Sequence, residues 1–151
     1  WATYKGALVL LDAAKQKFEK TRQPLVIRSA ENLFSQITGG SYHRIIKPID
    51  QDDLLIENDR HERKGVLEMS RGTREQLYLA MRFGLINEYE THAEPLPAVM
   101  DDIFVNFDDE RDERIIKILS QFSKQRQVIV FTCHQRSLEA YKNIGATPIT
   151  I

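Results

Sequence analysis

The sequence is short of several features that would each mark a particular class of protein. It contains a single cysteine, which excludes a disulfide framework and makes a reducing compartment the expectation. No apolar run approaches the roughly 18 residues needed to cross a bilayer, and no signal peptide is visible. Lys and Arg total 21 against 22 Asp and Glu, so no global positive charge attracts nucleic acid. We therefore expect a cytoplasmic protein that does not use a membrane.

A phosphate-binding P-loop is also missing. That motif needs Gly-Lys-Ser/Thr, and none of the seven glycines is followed by lysine. The sequence starts at Trp1 without an initiator methionine, from which we expect a piece cut from a longer protein. With 151 residues, 42% of them apolar, the chain is long enough for one domain with its own core.

Hydrophobic periodicity divides the chain into a helical start and an alternating second half. Two helices and a short, antiparallel strand pair are predicted first. Helices then alternate with apolar strands, which predicts an α/β fold with a parallel sheet and flanking helices. The predicted elements are helix Tyr4–Lys20, a helix opened by Pro24 and stopped by Gly39-Gly40, strands Tyr42–Lys47 and Leu54–Glu57, a polar connection Asn58–Gly65, helix Thr73–Tyr89, strand Ala98–Met100, helix Asp109–Phe122, strand Gln127–Cys133 covered on both faces, helix Gln135–Asn143 and strand Thr147–Ile151.

Two adjacent carboxylates, Asp101 and Asp102, end the apolar run of LPAVMDD. Parallel sheets bind their ligands beyond the carboxyl ends of the strands. One carboxylate at such an end can hold Mg²⁺, and its neighbour can orient or deprotonate a water molecule. The alternative is a polar loop after a strand, in which Asp108, Asp109 and Glu110 complement the dipole of the next helix.

A second candidate is the loop MSRGTREQ, residues 69–76, which runs straight into a helix. Helix N-termini present free N–H groups and a partial positive charge, which suit an anion. Gly72 would let the backbone approach a phosphate closely, and Ser70 offers a hydroxyl donor. The alternative is a helix start with no ligand, because Thr73 to Gln76 reads as a capping box.

A third candidate is the end of VIVFTCH, where His134 could lie beside Asp101 and Asp102. Cys133 is expected to be buried packing. Because successive strand residues point to opposite faces, Cys133 and His134 are not expected to form a nucleophile–base pair. A single histidine at a strand end is also compatible with a purely structural role.

In this order, the three features resemble the C-terminal lobe of an ABC-type ATPase head. The resemblance is to the SMC-like group, which includes chromosome-maintenance proteins, double-strand-break repair ATPases and YhaN-like bacterial ATPases. MSRGT is similar to the signature loop, AVMDD to Walker B and NFDD to the D-loop, while His134 is similar to the switch histidine. The two N-terminal helices resemble a coiled coil returning into the head. The likeness covers nearly the whole chain.

The resemblance implies a role for each residue around Walker B. Asp101 would be associated with Mg²⁺, and Asp102 would orient the attacking water where most of the family has a longer glutamate. His134 would contact the γ-phosphate of ATP. Asn106 and Asp108 would belong to the D-loop at a dimer interface and couple the two sites.

The signature loop would act on the partner head. Ser70, Arg71, Gly72 and Thr73 would bind the γ-phosphate of ATP held by the other subunit. Arg71 replaces the usual first glycine of a pair, and it could either add phosphate affinity or contact the partner.

The resemblance also implies the organisation of the parent protein. Residues 1–38 would be the end of a coiled-coil arm with the helix that leads into the head, and residues 39–151 would be the C-terminal lobe. Walker A would lie in an N-terminal lobe of the same parent chain, so this chain alone should not hydrolyse ATP. The implied partners are that lobe, a second head in a homodimer, DNA and an associated nuclease.

Two other functions remain open from the residues. One is a non-enzymatic dimerisation or docking module at the end of a coiled coil. The other is a free-standing, Mg²⁺-dependent phosphoryl-transfer or nuclease domain built on Asp101, Asp102 and Asp108, which would leave the loop at Met69–Thr73 unexplained.

Overall fold

The computed structural model describes residues 5–6, 9–10, 13, 24–48, 51–103 and 109–150. They form an α/β fold with two separate sheets, one antiparallel and one parallel, so the predicted fold class is confirmed. A short 3₁₀ helix, Val66–Glu68, leads into the longest helix. The other elements are α1 (Leu25–Ile37), β1 (Tyr42–Ile46), β2 (Leu55–Asn58), β3 (Arg63–Gly65), α2 (Arg71–Glu90), β4 (Ala98–Asp101), α3 (Asp109–Phe122), β5 (Val128–Phe131) and α4 (Gln135–Asn143).

Helix α1 packs along α2 and forms one wall of the core. Its apolar residues recur every three or four positions, which places them on one helical face. The two helices approach so closely at Gly84 that a Cβ atom there would lie 2.6 Å from the carbonyl oxygen of Val26. The buried residues of α1 are Ile27, Ala30, Phe34 and Ile37.

The end of α1 follows the glycine signal in the sequence. The N–H of Gly40 donates to the carbonyl of Ser35 at 2.8 Å, and that of Gly39 donates to Gln36 at 3.2 Å. This pair of bonds is a Schellman motif, and Gly39 has the left-handed φ of 61° that the motif requires. The predicted stop at Gly39-Gly40 is therefore confirmed.

The antiparallel sheet has three strands in the order β1-β2-β3. The predicted pairing of the first two is confirmed, with a bulge between Tyr42 and Arg44. The prediction of a polar, charged connection over Asn58–Gly65 missed a strand, because residues 63–65 pair with β2 as a third strand. Charged residues hid this strand from the hydrophobic pattern, since Arg63 and Lys64 lie exposed at the edge of the sheet.

The parallel sheet consists of β4 and β5 in register from Ala98↔Val128 to Asp101↔Phe131. Ala98 and Met100 face the core. Val99 lies between them in sequence, points to the opposite face and is 64% exposed. On β5 the outward residues are Ile129, 38% exposed, and Phe131, 45% exposed. The prediction that β5 is covered on both faces is therefore wrong for the described residues. A continuous apolar run cannot distinguish a covered face from an uncovered one.

The remaining predictions divide into three groups. Helices α3 and α4 are confirmed at both ends, and α2 begins two residues earlier than predicted. The final strand is wrong, because residues 147–150 have no strand structure. The first predicted helix lies mostly outside the described residues, although residues 5–6, 9–10 and 13 are helical. Among the helices described, none combines the length and apolar character required to span a bilayer.

Candidate functional site

The carboxyl ends of β4 and β5 bring the predicted Walker B and switch residues together. Asp102 follows β4, and its backbone N–H donates to the carbonyl of Phe131 at 3.0 Å, extending the ladder past the last strand pair. The residues that follow Phe131 lie beside the Asp102 carboxylate. The potential ligand atoms of Asp102, Cys133 and His134 all lie within 4.8 Å of one another. Parallel pairing thus joins residues about thirty positions apart into one polar group.

Asp102 has a strained backbone and a stabilised charge. Its φ is 42°, in the left-handed region that a residue other than glycine seldom adopts. The nearby Thr132 hydroxyl is the main cause of a lowered pKa of Asp102, with further lowering by the Cys133 thiol and the charge of His134. The carboxylate is therefore ionised at neutral pH. A carboxylate with a lowered pKa is a weak base, so it is better suited to hold a cation or orient a water than to accept a proton.

One oxygen of Asp102 remains available for a ligand. The Cys133 thiol donates to Oδ2 across 3.4 Å. Within the described part of the chain, Oδ1 is buried and has no hydrogen-bond partner. Buried oxygens are normally paired, so an orphaned carboxylate oxygen at a strand end fits a missing cation or water. Together with the neighbouring exposed Asp101, it offers the oxygen ligands that Mg²⁺ prefers.

Cys133 lies outside the core, contrary to the prediction of buried packing. The strand ends at Phe131, so the alternation rule does not apply to Cys133 and His134, and both reach the same carboxylate. The hydrogen bond and the negative charge of Asp102 raise the pKa of the thiol. A protonated thiol is a poor nucleophile. The expectation that Cys133 and His134 do not form a nucleophile–base pair stays a prediction, since its premise of opposite faces does not hold here.

The start of α2 forms a second, separate group. Ser70 is the N-cap, and its Oγ accepts from the backbone N–H of Thr73 at 3.2 Å and lies 2.8 Å from the Thr73 hydroxyl. The cap is therefore Ser70 rather than the capping box predicted to start at Thr73. Arg71 is exposed and pairs with Glu75 through Nε at 3.0 Å. The N–H groups of the first helical turn have no acceptor within the helix, which leaves those of Arg71 and Gly72 for a ligand.

The two groups are built by different parts of the chain. Ser70 makes its contacts with its own helix turn, whereas Asp102 makes them with the residues that follow β5. Asn106 and Asp108 lie outside the described residues.

Sequence reasoning missed Thr132 and Cys133 as partners of Asp102. Their position directly before His134 was the available signal, since all three follow the same strand end.

Comparison with known proteins finds similarity to a Bacillus subtilis protein. The chain is 30% identical over 142 residues to a Bacillus subtilis protein, the uncharacterized protein YhaN. The alignment covers 93% of this chain but only 15% of YhaN. No protein-family profile matches the chain.

Solved structures with the same fold include SMC head domains. An SMC ATPase structure, described for ATP-driven dimerization and DNA-stimulated activation, matches 83% of this chain and 77% of its own with a TM-score of 0.63 and 22% identity. The SMC head domain from Thermotoga maritima matches 85% of this chain and 44% of its own with a TM-score of 0.56 and 20% identity. An Smc head with an extended coiled coil, bound to the C-terminal domain of ScpA derived from Pyrococcus furiosus, matches 92% of this chain and 36% of its own with a TM-score of 0.59 and 19% identity.

These matches agree with the predicted family resemblance. At identities below a quarter the structural likeness establishes the fold, while the YhaN alignment extends along nearly all of this chain. The resemblance to an SMC-like ATPase head is therefore confirmed: the chain has the fold of such a head and is similar to a short part of YhaN.

Proposed function

We propose that the chain is the C-terminal lobe of an SMC-like ATPase that binds and hydrolyses ATP between two dimerised heads. In this proposal residues 1–38 end a coiled-coil arm and residues 39–151 form the lobe. The Walker A motif that the chain lacks is supplied by an N-terminal lobe of the same parent protein. The similarity to only 15% of YhaN supports a much longer parent.

The observation that carries this proposal is the uncovered face of the parallel sheet. Val99 and Ile129 are paired in register, and Phe131 follows on the same face, so the three exposed side chains form one apolar strip. Such a strip is costly to leave in water. It lies on the two strands that carry Asp102 and His134 at their ends. A second lobe packed there would cover the strip and bring its phosphate-binding loop to the same edge of the sheet.

The roles of the strand-end residues follow from their contacts. Asp101 and Asp102 would hold Mg²⁺, which when bound with ATP neutralises charge on the phosphate oxygens. Asp102 would also orient the attacking water, because its lowered pKa keeps the carboxylate ionised and a poor proton acceptor. His134, within 4.8 Å of this group, would donate a hydrogen bond to the γ-phosphate.

The signature loop would complete the site of the partner head. Ser70 to Thr73 would present hydroxyl and N–H donors to the γ-phosphate, at the positive end of the 20-residue helix α2. Arg71 is held by Glu75 in an exposed pair and can turn towards an incoming phosphate. Asn106 and Asp108 would contact the partner head. Loss of the γ-phosphate would remove these contacts and release the dimer.

The proposal also includes a role with DNA. One structure of the same fold is described for DNA-stimulated activation of SMC ATPases. By analogy, we propose that the parent protein works in DNA repair or chromosome maintenance with an associated nuclease. Fold analogy carries this part alone, since the balanced charge of the chain adds no support.

The test is ATP turnover with Mg²⁺ by the chain alone and by its mixture with the separately produced N-terminal lobe of its parent. We expect activity only in the mixture, with Asp102→Asn lowering turnover at least ~100-fold. Asp59→Asn, which changes an exposed acid far along the chain, is the matched control and should keep full activity.

Other outcomes separate the alternatives. Activity of the chain alone would overturn the split head and favour a free-standing metal site. A mixture that associates but does not turn over ATP, even with DNA and a complete arm, would favour the docking module. Ser70→Ala should abolish ATP-dependent dimerisation of the full parent, and normal dimerisation would remove Ser70 from the site.

A further inference from the structure

A second cluster of metal-ligating side chains lies on the antiparallel sheet, away from the strand ends of β4 and β5. Glu57 of β2 is buried, with its side chain only 8% exposed. Its Oε1 lies 3.3 Å from Nε2 of His43 and 3.4 Å from Nδ1 of His61. The three ligand atoms lie within 4.8 Å of one another. Its other oxygen, Oε2, accepts from Nε of Arg63 at 3.0 Å.

The sheet places His43 by means of an irregularity. Tyr42 pairs with Asn58 and Arg44 pairs with Glu57, so His43 is the extra residue of a β-bulge. A bulge re-aims a side chain relative to regular pleating, and bulges are common beside functional sites. Here the bulge brings the imidazole to the same carboxylate that Arg63 reaches from the opposite strand.

The turn between β2 and β3 places His61. Its φ of 61° is left-handed. Asn58 holds the turn through its side-chain oxygen, which accepts from the backbone N–H groups of Arg60 at 3.0 Å and Glu62 at 2.8 Å. The N–H of His61 donates to the carbonyl of Asn58 at 3.0 Å. The turn therefore places the exposed imidazole of His61 next to the Glu57 carboxylate. The His61 ring lies edge-on to the His43 ring, with the two ring centroids 5.4 Å apart.

Two of the three ligand-to-ligand distances match those of a metal site. Ligands about 2.0–2.1 Å from a tetrahedral Zn²⁺ lie about 3.3–3.5 Å from each other. The contacts from Glu57 Oε1 to the two imidazole nitrogens, 3.3 and 3.4 Å, have this length before any metal is added. Two histidines with one carboxylate, and a fourth position open to water, are a common ligand set for zinc.

We propose that His43, Glu57 and His61 form a transition-metal site of the zinc type, independent of the nucleotide site. Arg63 acts as the positioning residue, because it holds Oε2 and leaves Oε1 to face both imidazoles. The neighbouring cations Arg44 and Arg63 disfavour a hard cation that binds through charge alone. The affinity comes from the imidazole nitrogens, which selects Zn²⁺ over Mg²⁺ or Ca²⁺.

A metal bound at this site would cross-link three segments of the chain, namely β1, β2 and the turn that leads into β3. From Gly65, at the end of β3, only the short 3₁₀ helix and Met69 separate the sheet from Ser70. A metal bound at the turn would therefore restrain the segment that enters the signature loop. This consequence rests on the proposed function, whereas metal binding itself does not.

The test is calorimetric titration of Zn²⁺ into the full chain, with Mg²⁺ titrated in parallel. We expect one equivalent of Zn²⁺ to bind and Mg²⁺ to bind there far more weakly. His43→Gln and His61→Asn should each lower the Zn²⁺ affinity at least about tenfold. Asparagine tolerates a left-handed φ, so His61→Asn should keep the turn, which far-UV circular dichroism checks.

Two matched variants separate this site from other ligands. His92→Asn removes an exposed histidine and should leave Zn²⁺ binding unchanged. Cys133→Ser should also leave it unchanged, and the Co²⁺ form should lack a thiolate charge-transfer band. Absence of saturable Zn²⁺ binding would overturn the proposal, as would affinity that His43→Gln and His61→Asn do not change. A thiolate band lost with Cys133→Ser would assign the metal to the strand ends instead.

Discussion

The antiparallel and parallel sheets of this chain differ in how completely they are covered. On β1 and β2, Ile45 and Ile56 are fully buried under the helices. The Glu31 carboxylate of α1 even accepts the backbone N–H of Ile45 at 3.0 Å. The parallel pair buries one face on the same core but leaves Val99 64% exposed on the other.

The difference shows which sheet has its apolar faces covered by the described residues and which sheet does not. The antiparallel sheet finds its packing partners within the described residues. The parallel sheet has an apolar outer face, and it carries the best candidate catalytic groups at its ends. A chain that built a free-standing catalytic site would be expected to cover the strands that support it.

The largest effect is expected at the buried ion pair that joins α2 to the segment leading into the parallel sheet. Arg126, just before β5, pairs through Nη2 with Glu90 at the end of α2 and lies 3.6 Å over the centroid of the Phe122 ring. Arg126→Ala would leave the Glu90 carboxylate buried and unpaired. We expect a loss of about 3–5 kcal/mol in the free energy of unfolding, measured by urea denaturation.

The exposed pair Arg71–Glu75 is the control for Arg126. Arg71 is 79% exposed, so Arg71→Ala should cost less than about 1 kcal/mol. Equal losses for the two variants would show that burial does not raise the contribution of the Arg126–Glu90 pair above that of an exposed pair.

A matched pair of isoleucines tests the comparison directly. Ile56 is fully buried on β2, and Ile129 is 38% exposed on the outer face of β5. Ile56→Ala should lower the free energy of unfolding by about 2–5 kcal/mol, because it leaves a cavity. Ile129→Ala should cost about 0.5 kcal/mol. In the assembled head, Ile129→Ala should instead weaken association of the lobes. A large loss for Ile129→Ala in the chain alone would mean that the outer face is already part of a core.

A smaller effect is expected from the pH dependence of Glu57. Burial raises the pKa of Glu57, but the hydrogen bond from Arg63, the contact with His61 and the charge of Arg44 outweigh it, and the net pKa lies below the ordinary value of 4.5. The stabilisation is therefore fully present above about pH 4.5 and is lost as the pH falls through the lowered folded-state pKa. Glu57→Gln should flatten this acid limb of the stability curve, measured by thermal unfolding. An unchanged limb would assign the dependence to another carboxylate, with Asp102→Asn as the comparison.

The smallest effect is expected at Gln76 in the covered region. Its side chain is fully buried, and within the described residues neither amide atom has a hydrogen-bond partner. Gln76→Met keeps the shape and removes the unpaired groups, so we expect a gain of up to about 1 kcal/mol in thermal or urea unfolding. Gln36→Met, at an exposed position of α1, should change little. A clear loss at Gln76 would indicate a polar partner for the amide in the folded protein.

The local elements were largely predictable from the sequence. The double glycine at Gly39-Gly40 ended α1, and the predicted bounds of α3 and α4 are correct at both ends. These features depend on capping and on helical periodicity, which are read from neighbouring residues. The motif order MSRGT, AVMDD and TCH also predicted the fold that the SMC head structures share.

Long-range contacts decided the rest. The apolar run of β5 predicted a strand but not which face was covered, since Ile129 and Val130 are alike in sequence and differ only in what packs on them. The polar strand β3 exists because β2 offers it a register, and the backbone supplies those bonds whatever the side chains. Likewise, a bulge at His43 and a left-handed turn at His61 bring two histidines to Glu57, although neither residue stands out in its own segment. Sequence alone therefore determined the helices of the described residues and the order of the motifs, whereas the tertiary structure decided which segments pair as strands and which side chains meet, because burial and pairing depend on residues far apart in the chain.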